Sequence, residues 1–267
     1  MSITQRSVYR HADMKRLFDP ASIAVIGASP RAGSFADRTI SALSGYTGRL
    51  YLVNSRYEKI GERACYPSVT ALPEVPDCCI VVAAKDAVEE IATDCAKVGV
   101  GGVMIYASGF SETGRAEDIA AQQRLAAIGR DAGMRIVGPN CIGMLNFGTK
   151  AGVTFMIPPP MEAPLPHAVG LVSQSGALGF SLAQAVMRGV SVSHLLTTGN
   201  SSDIDVADCV SFLADDPGCR AIACVFEGMP DPMRFIEAAR IADAADKPLI
   251  VFTLGTGEQG AAAAMSH

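Results

Sequence analysis

The chain predicts an α/β protein made of two parallel-sheet units in tandem. Three observations carry that expectation. Short apolar, β-rich runs alternate with longer Ala-rich amphipathic segments, the pattern of a parallel sheet covered by helices. Several of the amphipathic segments end in Gly, as helices often do. The alternation then stops at FMIPPPMEAPLPHA, whose five prolines between Ile157 and His167 can continue neither a helix nor an inner strand, and resumes beyond it.

The first half supplies strands SIAVIG (22–27), RLYLVN (49–54), CIVVAA (79–84), GVMIYA (102–107) and RIVG (135–138). Helices are expected over FADRTISALSG, DAVEEIATDCAKVG and EDIAAQQRLAAIGRDAG. The second half supplies AVGLVS (168–173), VSHLLTT (192–198), AIACVFE (221–227) and PLIVFTL (248–254), separated by GALGFSLAQAVMRG, DVADCVSFLADD and PMRFIEAARIADAAD. The expected organisation is an N-terminal lead (1–16), a first unit (17–150), a Pro-rich linker (151–168) and a second unit (169–267).

With 267 residues, 49% of them hydrophobic, the chain can bury one large or two ordinary cores. Twenty-two basic against 27 acidic residues give a net charge of -5 without a basic block or acidic tail, so neither nucleic acid nor an anionic membrane surface is an expected partner. The eight cysteines form no CxxC and no paired metal spacing; they read as buried thiols in a reducing compartment, and no metal site is expected. The N-terminal stretch lacks an apolar signal core and no apolar run approaches the roughly 20 residues of a membrane span, which places the protein in the cytoplasm. Of the four histidines, His11 and His167 are expected to face solvent and His194 to be a satisfied structural side chain.

Chemistry concentrates where strands end. The first strand runs into GASPRAGSFADR, a loop opening a helix whose free amides can hold phosphate, yet Gly27, Ser29 and Gly33 do not match GxGxxG. The second strand ends at Asn54 rather than the acid a nicotinamide dinucleotide would need for its ribose. Arg56 and Lys59 follow; they suit either a ribose-linked phosphate, the 3′-phosphate of coenzyme A or the 2′-phosphate of a phosphorylated nicotinamide cofactor, or the role of solvated surface cations. In the second unit Ser173, Gln174, Ser175 and Gly176 sit where a strand turns into a helix, either as a phosphate cradle or as an ordinary cap and turn. Glu227 ends another strand, where a carboxylate serves chemistry or a loop hydrogen bond.

The segments LFDPASIAVIGAS, CYPSVTALPEVPD, GPNCIGMLN, VSQSGALG, GNSSDIDVADCV and KPLIVF, followed by AAAAMSH, occur in an order that resembles the NDP-forming acyl-CoA synthetases, relatives of the succinyl-CoA synthetase α subunit. The resemblance runs from about residue 17 to the last residue. It implies an α/β fold with a Rossmann-like CoA-binding domain followed by a flavodoxin-like ligase domain. By position, Gly27, Ser29 and Arg31 would hold CoA phosphates with Asn54 and Arg56 nearby, while Ala84, Lys85, Asn140 and Cys141 would approach the pantetheine end. Ser266 and His267 resemble the start of an SHTG motif whose histidine is phosphorylated, with the chain stopping inside that motif. A neutral imidazole is a competent nucleophile towards phosphoryl groups near pH 7, and a carboxylate on its other nitrogen, assigned to Glu227, would fix its tautomer. The turn from Ser173 to Gly176 would bind the phosphoryl oxygens.

The implied function is an acid:CoA ligase that couples NTP and CoA to acyl-CoA formation through an acyl phosphate and a phosphohistidine. Its partners would be a carboxylic acid, CoA, and ATP or GTP with Mg bound mainly by an ATP-grasp domain or subunit; without that module the chain is expected to be inactive, and an oligomer is expected. The sequence differs from the family pattern at Ser55, where a proline is common, and at Thr253 and Thr256, where two cations are. A non-catalytic CoA-binding or CoA-sensing module of a fused acyltransferase is the alternative, and an NADP-dependent oxidoreductase a third reading.

Overall fold

The computed structural model describes residues 6–229 and 231–254. Seven strands form the first sheet: β1 (Ser22–Ile26), β2 (Arg49–Val53), β3 (Lys59–Ile60), β4 (Arg63–Tyr66), β5 (Cys78–Val81), β6 (Gly102–Ile105) and β7 (Arg135–Val137). Their order is β3-β4-β2-β1-β5-β6-β7, and every pairing is parallel except the β3–β4 hairpin. Strands β1 and β5 are buried throughout, which is why they read as continuous apolar runs. Helices α2 (Phe35–Ala42), α3 (Lys85–Val98) and α4 (Ala116–Ala132) cover the sheet. Both α3 and α4 stop at a left-handed glycine, Gly99 and Gly133, as their sequences predict.

The second sheet contains β8 (Gly143–Asn146), β9 (Ala151–Thr154), β10 (Val169–Ser173), β11 (Val192–Thr197), β12 (Ala221–Phe226) and β13 (Leu249–Thr253), in the order β13-β12-β10-β11-β8-β9. Strands β10 to β13 are parallel, and β8 and β9 are antiparallel additions to the β11 edge. Helices α5 (Gly176–Ala183), α6 (Val206–Asp215) and α7 (Pro232–Ala244) complete this α/β unit. The change of sheet therefore falls between Val137 and Gly143, ahead of the proline run, and residues 143–154 belong with the second sheet rather than with the segments expected at 17–150 and 151–168. The hairpin is held at Gly143, where a side chain would meet the Val153 carbonyl oxygen at 1.9 Å. Two four-residue strands flanked by glycines carry too little alternation to be read ahead of time.

The N-terminal segment is part of the core. Helix α1 (His11–Phe18) buries Met14, Leu17 and Phe18, and touches both β6 of the first sheet and α6 of the second. His11 departs from its expected solvent-facing role: its ring stacks on Phe212 with centroids 4.5 Å apart, and its Nε2 lies 3.5 Å from Asp216. Ahead of it, Arg6 donates to Asp208 at 2.7 and 2.9 Å, Arg234 donates to Asp205 and Asp208, and the Tyr9 hydroxyl donates to Asp203. Burial pushes the Asp203 and Asp205 carboxyls up, with the Asp208 charge adding to the effect at Asp205; at Asp208 burial is outweighed by Arg6 and Arg234, which hold it low. His194 is buried, as expected, but it is not the satisfied side chain expected: among the described residues neither ring nitrogen has a hydrogen-bond partner, and its ring meets Phe212 edge-on with centroids 5.8 Å apart. All eight cysteines are buried free thiols. Among the described residues no helix is long and apolar enough to cross a membrane, and no group of three or more His, Cys, Asp or Glu is placed to hold a metal.

Candidate functional site

In open parallel sheets, ligands gather at the carboxyl ends of the strands, at the point where strand order reverses. The first sheet reverses between β1 and β5. There Gly27, at φ +86°, donates its N–H to Val53, and a side chain in its place would meet the Val82 carbonyl oxygen at 2.0 Å. This position accepts only glycine. Ser29 accepts from the Arg31 amide, and Ser34 caps α2 by accepting from the Asp37 amide. Asn54 ties the next strand end to this loop, donating from Nδ2 to the Ala28 carbonyl at 2.8 Å and accepting from the Arg56 amide at 2.9 Å. A cavity of about 350 Å³ opens beside these residues, and Gly27 and Asn54 line it. Arg31 and Arg56 are exposed nearby in the same two loops.

Glu90 and Asp94, one helical turn apart on α3, also line this cavity and were not anticipated. In sequence they are ordinary polar positions of an amphipathic helix; Glu90 is exposed and Asp94 pairs with Lys97, and they reach the cavity rim because α3 packs on β5 and β6 beside the β1 end. Ala84 is the N-cap of α3 without a side-chain cap. Lys85 follows it but is ion-paired with Asp118, and its ammonium stands 5.4 Å from the centre of the Phe110 ring. Lys85, with Thr113 and Arg115, holds the Asp118 carboxyl well below the usual carboxylate range. Lys85 is thus anchored to the 110–118 segment.

Between the two sheets lies the loop of residues 138–142. The Gly138–Pro139 peptide is cis and Asn140 adopts φ +55°. The loop is fastened to the segment after β11: Asn200 N–H donates to Pro139, Ser202 donates twice to Gly138, and Ile204 N–H donates to Ile136. Cys141 is buried, with its Sγ 3.2 Å from the Thr197 hydroxyl oxygen, and burial pushes its thiol up to about 11. It is a neutral thiol at pH 7, a packing and polar contact group rather than a nucleophile.

The second sheet reverses between β10 and β12. Ser173 ends β10 and donates to the Ser175 carbonyl at 2.6 Å, while the Ser175 hydroxyl caps α5. Gly176 opens that helix under Ile142, whose Cγ1 would lie 2.6 Å from an added Cβ. Gln174 supplies the link that brings this turn to Glu227: its Oε1 accepts from the Glu227 amide at 2.9 Å and from the Gly228 amide at 3.3 Å. The next strand ends beside them, with Thr253 paired to Phe226 and the Leu254 amide donating to the Phe226 carbonyl. The turn 173–176, Glu227 and Thr253 therefore share one edge of one sheet. His267, like Thr256, lies outside the described residues.

Residues 21–146 match the model of a CoA binding domain, and residues 166–267 that of a succinyl-CoA ligase like flavodoxin domain. The ADP-forming acetate-CoA ligase I subunit alpha of Pyrococcus furiosus is 37% identical over 261 residues, which is 95% of this chain and 55% of that protein. The chain carries these two domains and is similar over nearly its whole length to ADP-forming acyl-CoA ligases. A trans-feruloyl-CoA synthase from an unknown prokaryotic organism is 37% identical over 97% of this chain and 37% of its own length. The dinucleotide forming acetyl-coenzyme A synthetase 1 of Ca. Korarchaeum cryptofilum superposes with a TM-score of 0.85 at 32% identity, over 95% of this chain and 55% of that one. The chain thus spans about a third to about half the length of these acyl-CoA synthetases. The parallel two-sheet architecture expected from the family resemblance is the one observed, a CoA-binding unit followed by a ligase-like unit.

Proposed function

We propose that this chain is the CoA-binding and phosphoryl-carrying part of an acid:CoA ligase that forms NDP. The observation that carries this is the Gln174 bridge: it joins a strand-to-helix turn to the backbone amides of Glu227 and Gly228, which follow β12 at the switch point of the ligase-like sheet, on the edge where β13 also ends. A phosphoryl group needs a donor-rich helix start, and a histidine that carries it needs a carboxylate on its second nitrogen. The helix start and the backbone of the acid-bearing residue lie within one hydrogen-bonded unit. His267 is the proposed carrier, with Glu227 as its partner and the turn from Ser173 to Gly176 as the phosphate cradle; the Gln174 amide donates to the Val225 carbonyl at 3.0 Å, so the oxyanion donors are assigned to the Ser175 and Gly176 amides at the start of α5.

CoA fits the first-sheet edge. The cavity beside Gly27 and Asn54 carries two carboxylates, Glu90 and Asp94, and so suits the uncharged base and ribose hydroxyls of CoA rather than its phosphates. The phosphates belong outside it, with the Gly27–Arg31 loop and Arg56. The pantetheine then runs across Ala84 towards Asn140, with Cys141 beneath as a neutral thiol. In the acyl-forming direction the CoA sulfur attacks the acyl phosphate carbonyl, the C–O bond to phosphate breaks and inorganic phosphate leaves. The phosphohistidine supplies that phosphoryl to the acid beforehand, its N–P bond breaking as the carboxylate oxygen bonds phosphorus. Nucleotide, ATP or GTP with Mg, is assigned to an ATP-grasp partner domain or subunit, and the assembly to the cytoplasm as an oligomer. The relatives described are named as ligases and synthases, which favours this reading over a CoA-sensing module.

The test supplies the chain with the nucleotide-binding subunit of an ADP-forming ligase and γ-labelled ATP. Label stable to base and labile to acid is expected on the wild-type chain and absent from His267→Ala. Label that persists in that variant would refute the assignment.

A further inference from the structure

The loop of residues 108–113 follows β6, and the loop of residues 138–142 follows β7; the Asn140 and Cys141 amides donate to Ala107 and Ile105, ahead of the first loop, and among the described residues no backbone bond joins the two loops themselves. One side chain does. Asn200, from the segment between β11 and α6, donates from Nδ2 to Glu112 Oε2 at 2.5 Å and to Gln122 Oε1 at 2.9 Å, and its Oδ1 accepts from Asn140 Nδ2 at 3.2 Å. Glu112 in turn accepts from the backbone amides of Gly109 and Phe110, so its carboxylate is what shapes the 108–113 loop. The carboxamide of Asn200 is used at both ends, donor and acceptor, which only Asn or Gln can provide. Its backbone is set rigidly as well. The neighbouring Gly199 holds φ +57° with the Pro139 and Asn140 carbonyl oxygens 2.6 Å from where a Cβ would stand, and Ser201 holds φ +53°. A side chain fixed at both its backbone and its tip transmits the position of the second sheet to the first.

We infer that Asn200 is a positioning residue of the CoA-side crevice, holding Asn140 and the 108–113 loop in a single arrangement through Glu112. The proposal rests on the reading of Asn140 as a neighbour of pantetheine. Without the carboxamide, the Glu112 carboxylate loses its side-chain donor, and the Asn140 side chain loses its acceptor, while the fastening of Pro139 and Gly138 to backbone amides remains. The effect should therefore be local: order lost in two loops without loss of the fold.

Two measurements on the 267-residue chain test this. The first is amide hydrogen exchange without ligand. In Asn200→Ala, the Gly109, Phe110 and Asn140 amides should exchange at least about tenfold faster than in wild type, with β6 and β7 unchanged. Exchange within about twofold of wild type at all three would overturn the proposal. The second is CoA titration calorimetry. Asn200→Ala should bind about tenfold more weakly at every pH from 5.5 to 8. Asn200→Asp places a carboxylate against Glu112, so it should bind more weakly still at pH 8 and recover as the pH falls, when the pair takes up a shared proton. A pH-independent Asn200→Asp, or one that binds like wild type, would overturn the positioning role. A wild-type chain that binds no CoA would overturn the CoA reading of the first sheet, and the exchange result would still decide for or against the clamp.

Discussion

Replacing Asp208 by Asn probes the junction that seats the N-terminal segment on the second unit. The Asp208 carboxylate is fully buried and receives five hydrogen bonds, two from Arg6, one from Arg234 and one each from the Tyr9 and Asp205 amides. The carboxamide of Asn would turn a donor towards donors and leave the buried Arg234 with Asp205 and the Arg6 carbonyl. Removing one member of a buried ion pair costs about 3–5 kcal/mol. Because Asp205 still compensates Arg234, the lower end applies, about 3 kcal/mol. At roughly 2–4 °C per kcal/mol for a chain of this size, Tm should fall by about 6–12 °C in calorimetry at pH 7. A fall of less than about 2 °C would mean that the cluster behaves as solvated surface pairs, and the reasoning would be wrong.

Further outcomes concern the CoA edge and the response to acid. Gly27→Ala, with its Cβ directed at the Val82 carbonyl, should abolish CoA binding in calorimetry and cost at least about 2 kcal/mol, whereas Gly33→Ala, at φ +75° with open space around it, should cost about 1 kcal/mol and keep binding. Equal effects at the two glycines would refute the close-approach argument. Burial holds the His194 imidazole below its ordinary value of 6.5, against the pull of Asp216 and Asp19. The unfolded chain then binds more protons below pH 6.5, so stability is complete above that pH and falls as pH drops through it, by up to about 1.4 kcal/mol per unit. His194→Leu should flatten this acid-side slope in urea unfolding followed from pH 8 to 5; a slope unchanged by the substitution would show that other groups produce it.

Much of this organisation was legible in the residues. The fully buried parallel strands announce themselves as apolar runs, and the switch-point residues Gly27, Asn54, Ser173 to Gly176 and Glu227 could be placed because strand ends are where loops carry chemistry. The hairpin β8–β9 was not legible, because short strands recruited by a distant sheet edge leave no local periodicity. Nor was the partner of Lys85, since Asp118 reaches it from another helix across 33 residues. The role of Gln174 was readable only as part of a motif. Its contact with residues 227 and 228 depends on β10 and β12 being neighbours, a fact of topology that no window of sequence contains.

The seam between the sheets is closely built. Ile142 presses on Gly176 with no room for a methyl group, and residues 200–204 are bonded to residues 136–139 along their backbones. A hinge that opened the two units would have to break all of these contacts at once. A change in any one loop of this joint is therefore felt on both sheets, and a substitution there should be read for its effect on each of them.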